Sequence, residues 1–215
     1  MKPAPRLIFA LFISLLLLQI AVAQVPQISP FSADMQITST SDRAPHDVTG
    51  QVYVGSGHIR MNMDSAGHAT AMITDLATQT TDILLVEQKM YIEQKAGKMP
   101  GRNAGNVTQD LKSYDPQNPC ANQPDLTCKK IGVEDVSGRT CDHWQITDKQ
   151  ARVTDLWIDQ KLHFPVKVVS KDATMLLTNI KEGQPDASLF QVPAGYHKLD
   201  MGGMVPPGAG GPPHN

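Results

Sequence analysis

Between residues 31 and 181 apolar and polar positions alternate with a period of two, the pattern of strands that bury one face. In the run 31–40, Met35 and Ile37 alternate with Asp34, Gln36 and Thr38. Runs 48–54 and 57–64 flank Gly55-Ser56-Gly57, a turn signal that predicts a hairpin. Along the second run Ile59, Met61 and Met63 share one face, and His58, Arg60, Asn62 and Asp64 take the other. Ser65-Ala66-Gly67 turns the chain into 68–75, and strands are expected at 81–87 and 89–94. The interval 95–127 is rich in Gly, Asn, Pro and Gln and is expected to form a flap, with one short helix over 106–114. Strands resume at 129–134, 140–147, 152–159, 164–171 and 174–181, the first two joined by the turn Asp135-Val136-Ser137-Gly138. About ten short strands and few helices predict a mainly β fold. The expected architecture is a curved antiparallel sheet or unclosed barrel with a short helical or loop flap.

The two ends break this pattern. Lys2 and Arg6 precede a run from Leu7 to Ile20 that is apolar except at Ser14 and Gln19, followed by Ala21-Val22-Ala23. A basic start, an apolar run shorter than a membrane span and a small-x-small site predict a signal peptide over 1–23, cleaved before Gln24. The β domain is then expected over 24–199. Residues 200–215, mostly Gly and Pro without periodicity, are expected to be a disordered tail. Without Lys2 and Arg6 the 19 basic residues fall to 17 against 21 acidic ones. That mild acidity lacks the basic stripe a nucleic-acid partner needs.

Export places the three cysteines in an oxidising compartment, where a disulfide is expected. Cys120 and Cys128 bracket a loop-like Asn-Gln-Pro-Asp segment and are the favoured pair. Cys141 falls inside a strand-like run and reads as a small buried apolar residue.

Reactive constellations are scarce. Gly55-Ser56-Gly57 joins two strands, whereas a nucleophile elbow joins a strand to a helix, so it reads as a turn. The seven histidines fall in no ligand spacing. Asp155 and Asp159 share a strand face with Trp157 between them and read as surface carboxylates. No catalytic residue and no cofactor is assigned. Thioether and imidazole groups suit Cu(I), which makes His58, Met61, Met63 and His68, and near the tail His197, Met201, Met204 and His214, candidate ligands. On a regular strand His58 points away from both methionines, which favours an apolar lining instead. Aromatics make up only 5% of the chain, so Met, Val, Ile and Leu must fill its interior, and methionine surfaces accept varied apolar partners.

An ordered series of motifs closes the domain. Leu156-Trp157-Ile158-Asp159 is followed by Phe164-Pro165-Val166-Lys167, Asn179-Ile180-Lys181 and Ser188-Leu189-Phe190-Gln191-Val192-Pro193-Ala194-Gly195-Tyr196. The hairpin from Gly132 to Arg139, followed by Trp144, belongs to the same set. The series resembles the LolA/LolB-like superfamily of secreted bacterial proteins related to periplasmic lipoprotein carriers, and within it an uncharacterised branch, a domain of unknown function. The resemblance implies an unclosed barrel around an apolar cavity. Met35, Ile37, Ile59, Met61, Met63 and Trp157 are the candidate lining. The expected function is non-enzymatic binding of a lipid or acyl chain in the periplasm. The alternative is a filled barrel that recognises another envelope protein.

Overall fold

The computed structural model describes residues 28–39, 47–95, 115–121 and 123–199. The signal peptide, the helix expected over 106–114 and the tail expected over 200–215 lie outside them. Among the described residues twelve strands form one sheet: β1 (Phe31–Ser39), β2 (Val48–Gly55), β3 (His58–Ser65), β4 (His68–Asp75), β5 (Thr80–Leu85), β6 (Met90–Lys95), β7 (Leu126–Val136), β8 (Arg139–Asp148), β9 (Val153–Asp159), β10 (Pro165–Val169), β11 (Ala173–Glu182) and β12 (His197–Lys198). Their order is β12-β6-β5-β4-β3-β2-β1-β11-β10-β9-β8-β7, so β12 and β7 stand at opposite ends and the barrel is not closed. Two antiparallel meanders, β1–β6 and β7–β11, are stitched together where β1 pairs β11, with Met35 opposite Leu177. Of these strands only β12 is parallel to its neighbour.

Tight turns set the register. Ser56 and Gly57 both have positive φ, 51° and 75°, as do Ser137 and Gly138, 54° and 77°. This is the type I′ geometry whose twist matches that of paired strands. Both hairpins stand where the sequence predicted them. Pro165 opens β10, where its missing N–H costs no ladder bond.

The largest core cluster joins Phe31, Ala33, Met35, Val52, Val54 and Ile59 to Val136, Cys141, Trp157, Leu162, Val166 and Leu177. It therefore spans both meanders. The opposite face of β2–β6 carries Ala71, Ile73 and Leu84, which pack with Phe190 and, at their margin, Tyr53, Tyr91 and Tyr196. Here the chain after β11 returns across the sheet as a strap. Its helical element is a 3-10 turn, Ala187–Phe190, capped by the Asp186 side chain on the Ser188 N–H. Arg60 Nη1 donates to the Leu189 carbonyl at 2.7 Å, and β12 then adds to the edge of β6.

Cys120 and Cys128 form a disulfide with 5.8 Å between Cα atoms, and Cys141 is free and buried. Two expectations are corrected. β7 begins at Leu126 rather than at 129, so Cys128 lies within a strand. Asp159 is not a surface carboxylate: it is 1% exposed. It accepts from the Arg139 guanidinium and from the Lys161 and Leu162 N–H groups, which satisfy it inside the protein.

Candidate functional site: an apolar sheet face

Directly opposed residues of antiparallel strands share a face, so register alone defines the candidate surface. One row runs Ala33, Val52, Met61, Met72, Ile83, Ile92 across six strands. The next runs Met35, Gly50, Met63, Thr70, Leu85, Met90. Burial grades along both rows. Ala33, Val52 and Met35 are buried in the main core, whereas Met61, Met63, Met72, Ile83, Leu85, Met90 and Ile92 are only partly covered. Gly50 interrupts the second row because a Cβ there would lie 1.9 Å from the Asn62 carbonyl oxygen. Thr74 and Thr81, in the row beyond Met72, hydrogen-bond to each other through their hydroxyls at 3.0 Å, which removes polar demand from this face.

The six residues expected to line a cavity all belong to one cluster. Met35, Ile59 and Trp157 are buried in it, and Ile37, Met61 and Met63 pack against its margin. Around Met35, Ile59 and Trp157 this region is packed core. Met61 and Met63 sit where the fully buried core gives way to the partly covered rows. Sequence reasoning missed the extension through Met72, Ile83, Leu85, Met90 and Ile92. Alternation in 68–75, 81–87 and 89–94 carried that signal, but only register aligned the strands.

Trp157 is held from three sides. His143 stacks on it with ring centroids 4.2 Å apart, and the Lys167 ammonium lies 4.2 Å from the ring centroid. Its Nε1–H donates to Glu134 Oε2 at 2.8 Å. These Trp157 and His143 hydrogen bonds hold the Glu134 carboxyl below its ordinary range. The Asp159 carboxyl is pushed up by burial, but the Arg139 hydrogen bond and the Leu162 and Lys161 N–H groups outweigh this and hold it low. Burial, with Asp159 nearby, pushes the Cys141 thiol up to about 11, the opposite of an activated nucleophile.

His58 stacks on Phe190 beneath the strap, on the face opposite Met61 and Met63, so the candidate His/Met set is not assembled. Among the described residues no three His, Cys, Asp or Glu side chains are grouped to hold a metal ion. On the strap side of β1–β4 lies a groove of about 620 Å³ lined largely by polar groups, among them Asp34, Gln36, Gln51, Arg60, Asn62 and Tyr196.

Residues 31–163 match the family model described as DUF4412, a domain of unknown function. No curated protein matches the chain. Among solved structures, an uncharacterized conserved protein from Thermus thermophilus shares the fold, with a TM-score of 0.54 at 11% identity, over 80% of this chain and 90% of that one. The LolA superfamily protein NE2245 from Nitrosomonas europaea gives a TM-score of 0.41 at 10% identity, over 76% and 90%. The MucA/MucB complex of Pseudomonas aeruginosa gives 0.47 at 15%, over 76% of this chain and 55% of that one, so the chain spans about half of that protein.

Proposed function

The chain belongs to the DUF4412 family, and we propose that it is an exported, periplasmic, non-enzymatic protein that binds an apolar ligand, a lipid or acyl chain. The observation that carries the reading is the pair of cross-strand rows that leave the fully buried core and continue as the incompletely buried Met61, Met63, Met72, Ile83, Leu85, Met90 and Ile92. Unbranched thioether side chains adapt to acyl chains of differing shape. Export is supported by the basic, apolar and small-residue order of residues 1–24 and by the Cys120–Cys128 bridge. A non-enzymatic role is supported by the employment of the notable titratable groups in structural bonds, Asp159 with Arg139 and His143 with Glu134 and Asp155.

The packed interior around Phe31, Val52 and Trp157 favours a second reading, a filled barrel that recognises another envelope protein. Native mass spectrometry of the chain from Gln24 onward, made in an oxidising periplasm and purified without detergent, separates the two. An added mass extractable as lipid supports the first. A bare mass that takes up neither fatty acid nor acylated peptide overturns it.

A further inference from the structure

Strand β7 is the terminal strand of the sheet and, at 11 residues, the longest, yet among the described residues only β8 pairs with it. Such an edge is a template for another strand, which proteins blunt with charged side chains, Pro, bulges or a covering segment. The charges of β7 change sign along the strand: Lys129 and Lys130 precede Gly132, and Glu134 and Asp135 follow it. Ile131, the extra residue of a bulge with no partner on β8, is 44% exposed, and Val133 is 57% exposed.

We propose that β7 pairs antiparallel with β7 of a second copy of this chain about a two-fold axis at Gly132, continuing the sheet from one protomer into the next. That axis sets Gly132 opposite Gly132 and Ile131 opposite Val133. It also sets Lys130 opposite Glu134 and Lys129 opposite Asp135. Ile131 meets Val133 and each of the four charges meets one of opposite sign, twice over by symmetry. Of the strand registers, this one alone pairs all four charges with opposite sign while burying both exposed aliphatic side chains. Within the protomer Lys130 reaches Asp142 at 2.7 Å, and Glu134 holds His143 and Trp157. Lys129 and Asp135 are the charges best placed to select the partner strand. Among the described residues a Cβ built on Gly132 meets no heavy atom within 4 Å, so a side chain is accommodated there. The occupant is a second copy because the complementarity is that of the strand with itself. The inference is independent of the ligand reading above.

Sedimentation of the exported chain over a wide concentration range is the test, with thermal unfolding to confirm folded variants. The wild type is expected to form a concentration-dependent dimer. Lys129→Glu and Asp135→Lys each set like charges opposite one another twice, and each is expected to weaken it by about tenfold or more. An equimolar mixture of the two variants restores opposite signs and is expected to recover a mixed dimer. Gly132→Cys supplies a second readout. Opposed residues at the axis have Cα atoms about 4.5–5.5 Å apart, within disulfide range, so oxidation is expected to yield a covalent dimer. A monomer at every concentration, or a dimer indifferent to both charge reversals, overturns the proposal. Failure of Gly132→Cys to cross-link overturns the register.

Discussion

The imidazole of His143 lies against the indole of Trp157, with ring centroids 4.2 Å apart and planes 13° from parallel. The carboxylate of Glu134 bridges the pair, one oxygen 2.8 Å from His143 Nδ1 and the other 2.8 Å from Trp157 Nε1. Three adjacent strands are thereby fixed by one stack and one bridge. Trp157→Phe keeps an aromatic ring but removes the Nε1–H. It is expected to destabilise the domain by less than Trp157→Ala does, because the Glu134 bond it removes lies at the surface. Trp157→Ala, which also opens a cavity, is expected to cost about 3–5 kcal/mol. Denaturant unfolding checks both, and an undiminished stability in Trp157→Phe would show that the Glu134 bond contributes nothing.

Acid sensitivity is expected to centre on Asp159. Its folded pKa lies below the unfolded value because Arg139 and two backbone N–H groups outweigh the upward push of burial. A depressed carboxylate contributes stability that is present above the unfolded pKa, about 3.9, and is lost as pH falls through the lower folded value. Unfolding free energy is therefore expected to drop below about pH 4. Asp159→Asn is expected to flatten that limb and to lower stability at pH 7 by about 1.5–3 kcal/mol, the scale of a hydrogen bond to a charged group, since Arg139 keeps Glu182 as a carboxylate partner. An unchanged acid limb in the variant would reassign the sensitivity to another carboxylate.

The strap is expected to loosen without global unfolding in Phe190→Ala. Phe190 packs with Ala71, Ile73 and Leu84 and stacks on His58. Its truncation removes the main apolar anchor between β11 and β12, worth about 3 kcal/mol or more. Hydrogen exchange should then accelerate at the N–H groups of His197 and Leu199, which donate to the Lys89 and Tyr91 carbonyls, while β1 and β11 keep their protection. Equal acceleration throughout would mean that strap and sheet unfold together.

Cys141 is expected to be silent toward thiol reagents in the folded state at pH 8. It is fully buried, with its thiol pushed up to about 11 by burial and Asp159. In denaturant without reductant one thiol per chain should react, because Cys120 and Cys128 are bonded to each other. Rapid labelling of the native protein would contradict this burial.

Met72→Asp and Ile83→Asp test the ligand face. Both positions are half-covered, so each variant is expected to fold, with losses of about 1 kcal/mol. If the apolar rows hold an acyl chain, fatty-acid affinity should fall by about tenfold or more, as expected when a charge is placed against an apolar ligand. Lys129→Glu, on the edge strand, should leave affinity unchanged. Retained binding in both aspartate variants would place the ligand elsewhere.

The hairpins were legible in the sequence because a two-residue turn is a local event. Ser56-Gly57 and Ser137-Gly138 specify positive φ at both central positions, and alternation such as Ile59, Met61 and Met63 fixes which residues share a face. The Cys120–Cys128 bridge was legible for the same reason, its partners lying eight residues apart. Asp159 was misread because its burial depends on Arg139, twenty positions away in sequence, and on the turn after β9. The six candidate lining residues fall in or against one apolar cluster, and nothing local in the sequence could divide them into packed core and margin. Met35 and Trp157 are buried because β1 pairs β11 and joins the two meanders, whereas Met72 and Ile92 lie on strands beyond the packed core. Periodicity with neighbouring turns determined the strands and their faces. Only the long-range pairing of β1 with β11 and the return of the chain to β6 decided which of those faces became interior.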